Sequence, residues 1–294
     1  MFQWLKQLFS KGLGPSELSR RLDLTLRELH NVEIAYRTFQ ISKKSGKSRR
    51  IDAPTEPLKK IQRRILRRLL AKLQCHPLAT GFQPGLSFVE NARCHQYQAI
   101  VIRLDLKDFF PSISESRVEA FFRGIGWDQA SSQLLTSLTT YQGALPQGAP
   151  TSPRLSNLVT YRMDVRLAEI AELANAVYTR YADDITFSLA EPEFDVKDFV
   201  RRVMFVVREE GFQPHIKKKF DVRRRHHRQI VTGLVVNEIP KLPRETRRWL
   251  RSVRHRATLN QQLGYLGPKP TLTQEQLDGW NSLEAMIRSK SKPT

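Results

Sequence analysis

The 294-residue chain is poor in cysteine, in methionine and in negative charge. Cys75 and Cys94 are its two thiols, and their isolation and spacing encode neither a disulfide framework nor a thiolate metal site. Apolar runs are short as well. No segment approaches the 18 residues a membrane-spanning helix needs, because Lys and Arg interrupt every long one. The opening stretch MFQWLKQLFSKGLG is too short and too charge-interleaved for a secretory signal, and it reads as a docking helix. These shortages point to a reducing, cytoplasmic setting with no membrane partner. Internal repeats and low-complexity tracts are also missing.

What is abundant is positive charge. Against 29 Asp+Glu stand 49 Lys+Arg, a formal net charge of +20. A solvated surface has no need of so one-sided a balance, and a polyanionic partner, nucleic acid above all, explains it better. The cations are also clustered. Residues 43–72 hold 12 Lys+Arg and 2 Asp+Glu. The first part of that run, residues 41–54, reads as a β-hairpin turning at Ser45-Gly46. PLKKIQRRILRRLLAKL then makes an amphipathic helix, with Leu58, Ile61, Ile65, Leu66, Leu69 and Leu70 as its apolar stripe. Arg63, Arg64, Arg67 and Arg68 crowd the opposite side and are candidates for gripping phosphates. Residues 239–294 are basic again, with 11 Lys+Arg and 4 Asp+Glu in a helical pattern. There Arg247, Arg248, Arg251 and Arg254 are candidate backbone contacts. Trp249 and Tyr265 are candidate stacking platforms, unless they are core residues.

Ahead of the hairpin, residues 15–40 read as two short helices, the first capped by Ser16, with only a faint likeness to a helix-turn-helix. Downstream, AIVIRLDL (99–106) is a strand by its β-branched content, and helices are predicted at 114–124, 128–140 and 195–210. GALPQGAPTSP (143–153) is a Gly/Pro-rich loop leading into a helix that starts near Pro153. RYADDITFS (180–188) is a strand-turn-strand with two aspartates at its tip, and GLVVNE (233–238) is expected to close the sheet.

Those tip carboxylates pose a problem. Asp105 ends the strand 99–106, so a hairpin laid antiparallel beside it would bring Asp183 to the same point. Like charges do not share a dry site unless a cation lies between them. Hard oxygen ligands with open positions suit Mg²⁺, which takes one or two carboxylates and completes its shell with substrate phosphates. Two such ions are the machinery of phosphoryl transfer, and the +20 charge supplies the substrate, a nucleic acid.

In order along the chain, LDLKDFFPS, LPQGAPTSPRLSN and YADD resemble the catalytic motifs of reverse transcriptases. NARCH (91–95), VTG (231–233) and the full RYADDITFS are similar to elements of the retron reverse transcriptases, a likeness that runs from about residue 16 to 240. It implies an α+β, right-hand polymerase architecture with an antiparallel-sheet palm, fingers and a helical thumb. Residues 1–40 would be an N-terminal helical segment, 41–238 fingers and palm, and 239–294 the thumb. Asp105, Asp183 and Asp184 would be catalytic and would ligate two Mg²⁺ ions. Phe110 would be the aromatic gate beneath the sugar, favouring dNTPs over rNTPs. Gln147 and Gly148 would form the nucleotide-binding loop, and Arg49 or Arg50 would clamp the triphosphate. In GFQPHIKKKF (211–220), His215 stands where the family carries Asn and Lys219 where it carries Thr. Lys218 is then the match for the lysine that protonates pyrophosphate. Asn91 and His95 either contact nucleic acid or brace the palm, and RRRHHR (223–228) is a further candidate for RNA backbone contact. The resemblance further implies a structured noncoding RNA as template and primer, an RNA–DNA hybrid product, branched RNA-linked DNA, and antiphage defence with an effector protein. Two other readings are a non-retron bacterial reverse transcriptase, such as a group II intron type, and a catalytically silent RNA-binding module. The want of room for a maturase region or endonuclease after the thumb counts against the former, and the intact Asp105, Asp183, Asp184 and Gln147 count against the latter.

Overall fold

The structure, a computed structural model, describes residues 13–42, 46, 48–215, 221–263 and 272–289. The opening docking helix, Ser45 of the hairpin turn, the lysines 217–219 and Tyr265 lie outside the described residues.

Two short helices, α1 (Pro15–Leu22) and α2 (Leu26–Asn31), come first. Gly14, not Ser16, is the N-cap of α1, since Pro15 takes the first helical position and carries no N–H to satisfy. The next helix begins with a capping box, in which the Thr25 hydroxyl accepts from the Glu28 N–H and the Glu28 carboxylate accepts from Thr25. The basic hairpin follows as β1 (Tyr36–Ser42) and β2 (Ser48–Pro54), in register from Tyr36↔Pro54 to Ser42↔Ser48. The amphipathic helix is α3 (Glu56–Arg68), which ends in one 3₁₀ turn (Leu70–Lys72). Its expected stripe is inside: Leu58, Ile61, Ile65, Leu69 and Leu70 are buried in the main core.

Next come α4 (Phe88–Arg93), β3 (Ile100–Asp105), α5 (Glu115–Gly124) and α6 (Gln129–Thr139). Then α7 (Ser152–Val159), α8 (Tyr161–Leu173), β4 (Val177–Tyr181), β5 (Asp184–Leu189) and α9 (Val196–Glu209) complete the central region, and β6 (Asp221–Arg224) adds the last central strand. These strands form one antiparallel sheet in the order β4-β5-β3-β6. On one face Ile102 and Leu104 join the main core, alongside Leu167 of α8 and Phe199 and Val203 of α9.

Gly233–Glu238 does not close this sheet. Ile230–Val231 (β7) and Leu234–Val235 (β8) pair with each other in a separate two-stranded sheet, and the edge position belongs to β6 instead. Their small hairpin covers the other face. Val101 of β3 packs there with Val89 and Ala92 of α4, with Val231, Leu234 and Val236, and with Leu250 of α10 (Arg244–Leu263). Trp280, Leu283 and Ile287 of α11 (Gln274–Arg288) pack against this second core. Arg93, at the end of α4, donates to the carbonyls of Met286, Ile287 and Ser289, and so caps α11 from outside. The last two helices are thereby fastened to the back of the sheet.

Candidate active site

The sheet register sets the site. Asp105, the last residue of β3, lies directly opposite Asp184, the first of β5. Strands β4 and β5 are joined by two residues, Ala182 and Asp183, so Asp183 stands at the tip of the hairpin beside the end of β3. Backbone bonds tie the carboxylate-bearing ends together. The Leu106 N–H donates to the Asp183 carbonyl at 2.9 Å, and the His215 N–H donates to the Asp105 carbonyl at 2.8 Å.

Asp105 and Asp183 open into a cleft of about 880 Å³ whose walls include Arg49, Phe82, Phe110 and Gln147. Burial pushes the Asp183 carboxyl above the usual carboxylate range, and the nearby charges of Asp105 and Asp184 push it further in the same direction. The Arg49 guanidinium opposes that rise. Asp184 lines the same cleft, and its Oδ1 accepts from Arg103 Nη2 at 3.3 Å. Among the described residues no group of three His, Cys, Asp or Glu side chains converges as a closed metal site. The arrangement is three carboxylates lining one open cleft, the third of them also bonded to an arginine. That donor set fits a hard divalent cation that keeps water or phosphate oxygens in its remaining positions.

Beneath the tip is a charge pair the sequence did not disclose. Arg180 and Asp164 are both fully buried. The guanidinium Nε and Nη2 donate to the two carboxylate oxygens at 2.7 and 2.6 Å. Its other N–H groups reach Thr160 Oγ1 (2.9 Å), Asn157 Oδ1 (3.1 Å) and the carbonyl of Ala182 (3.1 Å). All five donors of the fork are used. Tyr178 adds its hydroxyl to Asp164 at 2.7 Å, and its burial, reinforced by that carboxylate, drives the phenol pKa well above the ordinary value. Burial alone would lower the Arg180 pKa, but the Asp164 carboxylate outweighs it and keeps the guanidinium charged. The bond to Ala182 matters locally. Ala182 has φ 58°, the left-handed region that costs a non-glycine residue about 1–2 kcal/mol, and the arginine holds it there.

The loop ahead of α7 is fitted equally closely. The Asp52 N–H on β2 donates to the Gln147 carbonyl at 2.9 Å. A Cβ on Gly148 would lie 2.7 Å from the Asp52 carbonyl oxygen, and its φ is +140°. Gly148 therefore serves the close approach of β2 rather than presenting a side chain to the cleft. Gly148→Ala is expected to push the hairpin off the loop, at a cost of about 1–3 kcal/mol. In steady-state primer extension the KM for dNTP should rise, with a smaller fall in melting temperature. Of the two arginine candidates on β2, the cleft receives Arg49. Arg50 faces the opposite way, bonded to Asp52 (2.9 Å) and to Gln142 (2.7 Å).

Other candidates are placed less simply. Asn91 and His95 are buried, at 1% and 0% exposure. The Thr80 hydroxyl donates to Asn91 Oδ1 at 2.6 Å, and the His95 ring nitrogens bond Ser188 Oγ and Thr179 Oγ1 at 2.7 and 2.8 Å. Burial lowers the His95 pKa to about 3, so the ring is neutral and braces β4 and β5 from within. Neither residue presents its side chain at a surface, and of the two roles expected for them only the bracing one fits this placement. The four helix arginines have partners within the protein too. Arg64 donates to the carbonyls of Leu22 and Asp23, and Arg68 to Arg21 and to the Asp23 carboxylate, so both hold the C-terminal end of α1. Arg63 pairs loosely with Glu56 at 3.6 Å, and Arg67 donates to the Arg63 carbonyl at 3.3 Å. On α10, Arg247, Arg248 and Arg251 are exposed, while Arg254 bonds Asn281 and Glu284. Trp249 packs edge-on against Trp280, with ring centroids 5.8 Å apart, and remains 37% exposed.

Comparison with known proteins agrees with this geometry. Residues 41–228 match the family model described as reverse transcriptase (RNA-dependent DNA polymerase). The Retron Ec86 reverse transcriptase of Escherichia coli is 34% identical over 272 residues, covering 91% of this chain and 81% of that protein. This chain belongs to the retron reverse transcriptases. The Retron Mx162 and Mx65 reverse transcriptases of Myxococcus xanthus are 36% and 39% identical, over 85% and 75% of the chain. The retron chain described here spans 58% and 55% of those two relatives' lengths. No helix of the described residues is long and apolar enough to cross a membrane.

Proposed function

We propose that the chain is the RNA-directed DNA polymerase of a retron, copying a structured noncoding RNA that is both template and primer into branched, RNA-linked single-stranded DNA. The observation that carries this reading is the meeting of Asp105 and Asp183 at the end of the register-matched strands, in a cleft that Arg49, Phe110 and Gln147 also line. Asp105 and Asp183 hold the divalent cations, Mg²⁺ by the hardness of their oxygens, with Asp184 in support through Arg103. When bound, the ions supply charge stabilisation to the attacking hydroxyl and the leaving pyrophosphate. The protein's own groups do the placing. Arg49 meets the triphosphate with a planar fork suited to phosphate oxygens. The Phe110 ring fills the space a ribose 2′-hydroxyl would need. The fingers and palm span about 41–238 and the thumb 239–294, with Lys218 as the proton donor to pyrophosphate. Defence against phage, together with a separate effector protein, is the role this activity serves.

The test is dNTP incorporation on the cognate folded RNA with Mg²⁺, resolved by gel and by sensitivity of the product junction to debranching. Absence of any incorporation by well-folded protein on both self-primed and annealed-primer RNA would overturn the reading. A second expectation concerns the thumb. Arg247→Gln with Arg251→Gln removes two exposed cations one helical turn apart. The slope of log K for RNA binding against log salt should flatten by about 1–2 units. Arg64→Gln with Arg68→Gln should instead lower thermal stability, since those side chains hold α1. Binding isotherms at four salt concentrations and melting curves separate the two.

A further inference from the structure

Phe82 lies in the loop between the 3₁₀ turn and α4, and nothing in its sequence setting marks it. Its backbone φ is +62°, a left-handed conformation for a bulky side chain. The ring is nevertheless not repaid by burial, because the residue is 41% exposed. Such a conformation persists only where surrounding contacts over-determine it, and it is characteristic of functional positions. The contacts are visible on both sides. The Thr80 N–H donates to the Arg180 carbonyl at 2.9 Å, and the Gly81 carbonyl accepts from Asn157 Nδ2 at 2.7 Å. A Cβ on Gly81 would lie 2.6 Å from the Ala182 nitrogen, so the loop rests directly on the catalytic turn. On the far side, Arg154 Nη1 donates to Gln83 Oε1 at 2.6 Å. Held at the Gly81 carbonyl and, through its side chain, at Gln83, the loop places Phe82 in the wall of the active cleft.

The ring meets two others there. Its centroid is 6.1 Å from that of Phe110 and 6.4 Å from that of Tyr181, tilted at 42° and 39°. Phe110 is backed on its core side by Phe109, at 5.5 Å. Phe110 is therefore held between a buried ring behind and an exposed, strained ring in front. The geometry points to Phe82 as a specificity-determining buttress: it fixes the Phe110 ring against the sugar of the incoming nucleotide, so that rejection of a 2′-hydroxyl depends on both rings. This inference rests on the proposed role of Phe110 as the sugar gate. A single ring free on its cleft side could rotate away from a ribose, whereas a braced one cannot. Phe82 is a positioning residue in this scheme, acting through Phe110.

The experiment measures incorporation of dNTP against rNTP, as a ratio of kcat/KM, for the parent, Phe82→Ala, Phe110→Ala and the double variant, with Phe82→Tyr as the conservative control. Phe110→Ala should lower the ratio strongly. Phe82→Ala should lower it by about two- to tenfold, the range that a lost aromatic pair contact represents. Phe82→Tyr should restore it. The double variant should be no less selective than Phe110→Ala alone, because the brace has nothing left to hold. Melting temperatures of all four variants guard against misfolding, and an unfolded Phe82→Ala is replaced by Phe82→Leu. If Phe110→Ala lowers the ratio and Phe82→Ala or Phe82→Leu does not, the buttress is disproved while the gate stands. Additive losses would make Phe82 an independent contact and overturn the coupling. An unchanged ratio in Phe110→Ala removes the gate reading itself, and the buttress with it.

Discussion

Asp183→Asn should abolish nucleotide incorporation and leave the folded protein at least as stable as the parent. The two halves of this expectation have one cause. Burial and the adjacent charges of Asp105 and Asp184 raise the Asp183 pKa in the fold. A carboxyl whose folded pKa lies above its unfolded value contributes stability in the protonated state, below the unfolded pKa. That contribution is lost as pH rises through the folded pKa. Above the folded pKa the ionised side chain is therefore a cost to the fold, tolerated for what it binds. Asparagine keeps the shape and removes the cost, but it also removes the charge that a divalent cation needs. Loss of incorporation should reach the background of the assay, with RNA affinity retained, and the melting temperature near neutral pH should hold or rise. Measurable DNA synthesis by Asp183→Asn, at even a tenth of the parent rate, would contradict the assignment of Asp183 as a metal-holding residue.

Asp164→Asn is the second large expectation. It leaves the Arg180 guanidinium fully buried without its counter-charge, and breaking a buried pair in this way costs about 3–5 kcal/mol. Against a typical total stability of about 5–15 kcal/mol, that loss will show as a marked drop in the denaturation midpoint. A paired replacement separates stability from geometry. Asp164→Leu with Arg180→Met removes both charges, and well-packed apolar groups of similar volume often restore or exceed the stability of a buried pair. The double variant should regain most of its stability yet stay poor in polymerisation, because Ala182 has lost the donor that holds its left-handed backbone. Full activity in that variant would show the pair to be a stabilising device alone.

How much of this was legible beforehand depended on whether the signal was local. The strand 99–106 and the hairpin at 180–188 declared themselves through β-branched runs ending in carboxylates, and their antiparallel register follows. The α3 stripe was equally plain, since its apolar positions repeat at helical spacing. What failed was assignment across distance. GLVVNE has every mark of a strand, but composition does not say which sheet a strand joins. The true edge strand, DVRR, is so basic that hydrophobic patterning passes over it; charge on an edge strand is a common way to block further pairing. Arg180 and Asp164 were hidden for a related reason. All three middle residues of β4 are buried, so no alternation singles out the arginine, and its partner sits in a helix among Met163 and Leu167. Phe82 and Gly81 gave no signal, because their importance lies in a backbone angle and a close approach. His95 was ambiguous in the sequence, since a histidine near a strand serves equally as a ligand contact or a brace, and only its burial decides.

The central position of β3 bears on how the chain is made. Its neighbours are β5 and β6, and its last residue, Asp105, precedes the end of β6, Arg224, by about 120 positions. A ribosome adding about 5–20 residues per second needs roughly 6–24 s to cover that distance. For roughly the first 80 positions of that stretch, until β5 has been made, Ile100–Leu104 has neither hydrogen-bonding neighbour, and from there to Arg224 it has only one. The nascent protein is therefore most exposed to misassociation while the middle third is being translated. Slower synthesis across residues 105–224 would lengthen that exposure and should lower the yield of soluble protein.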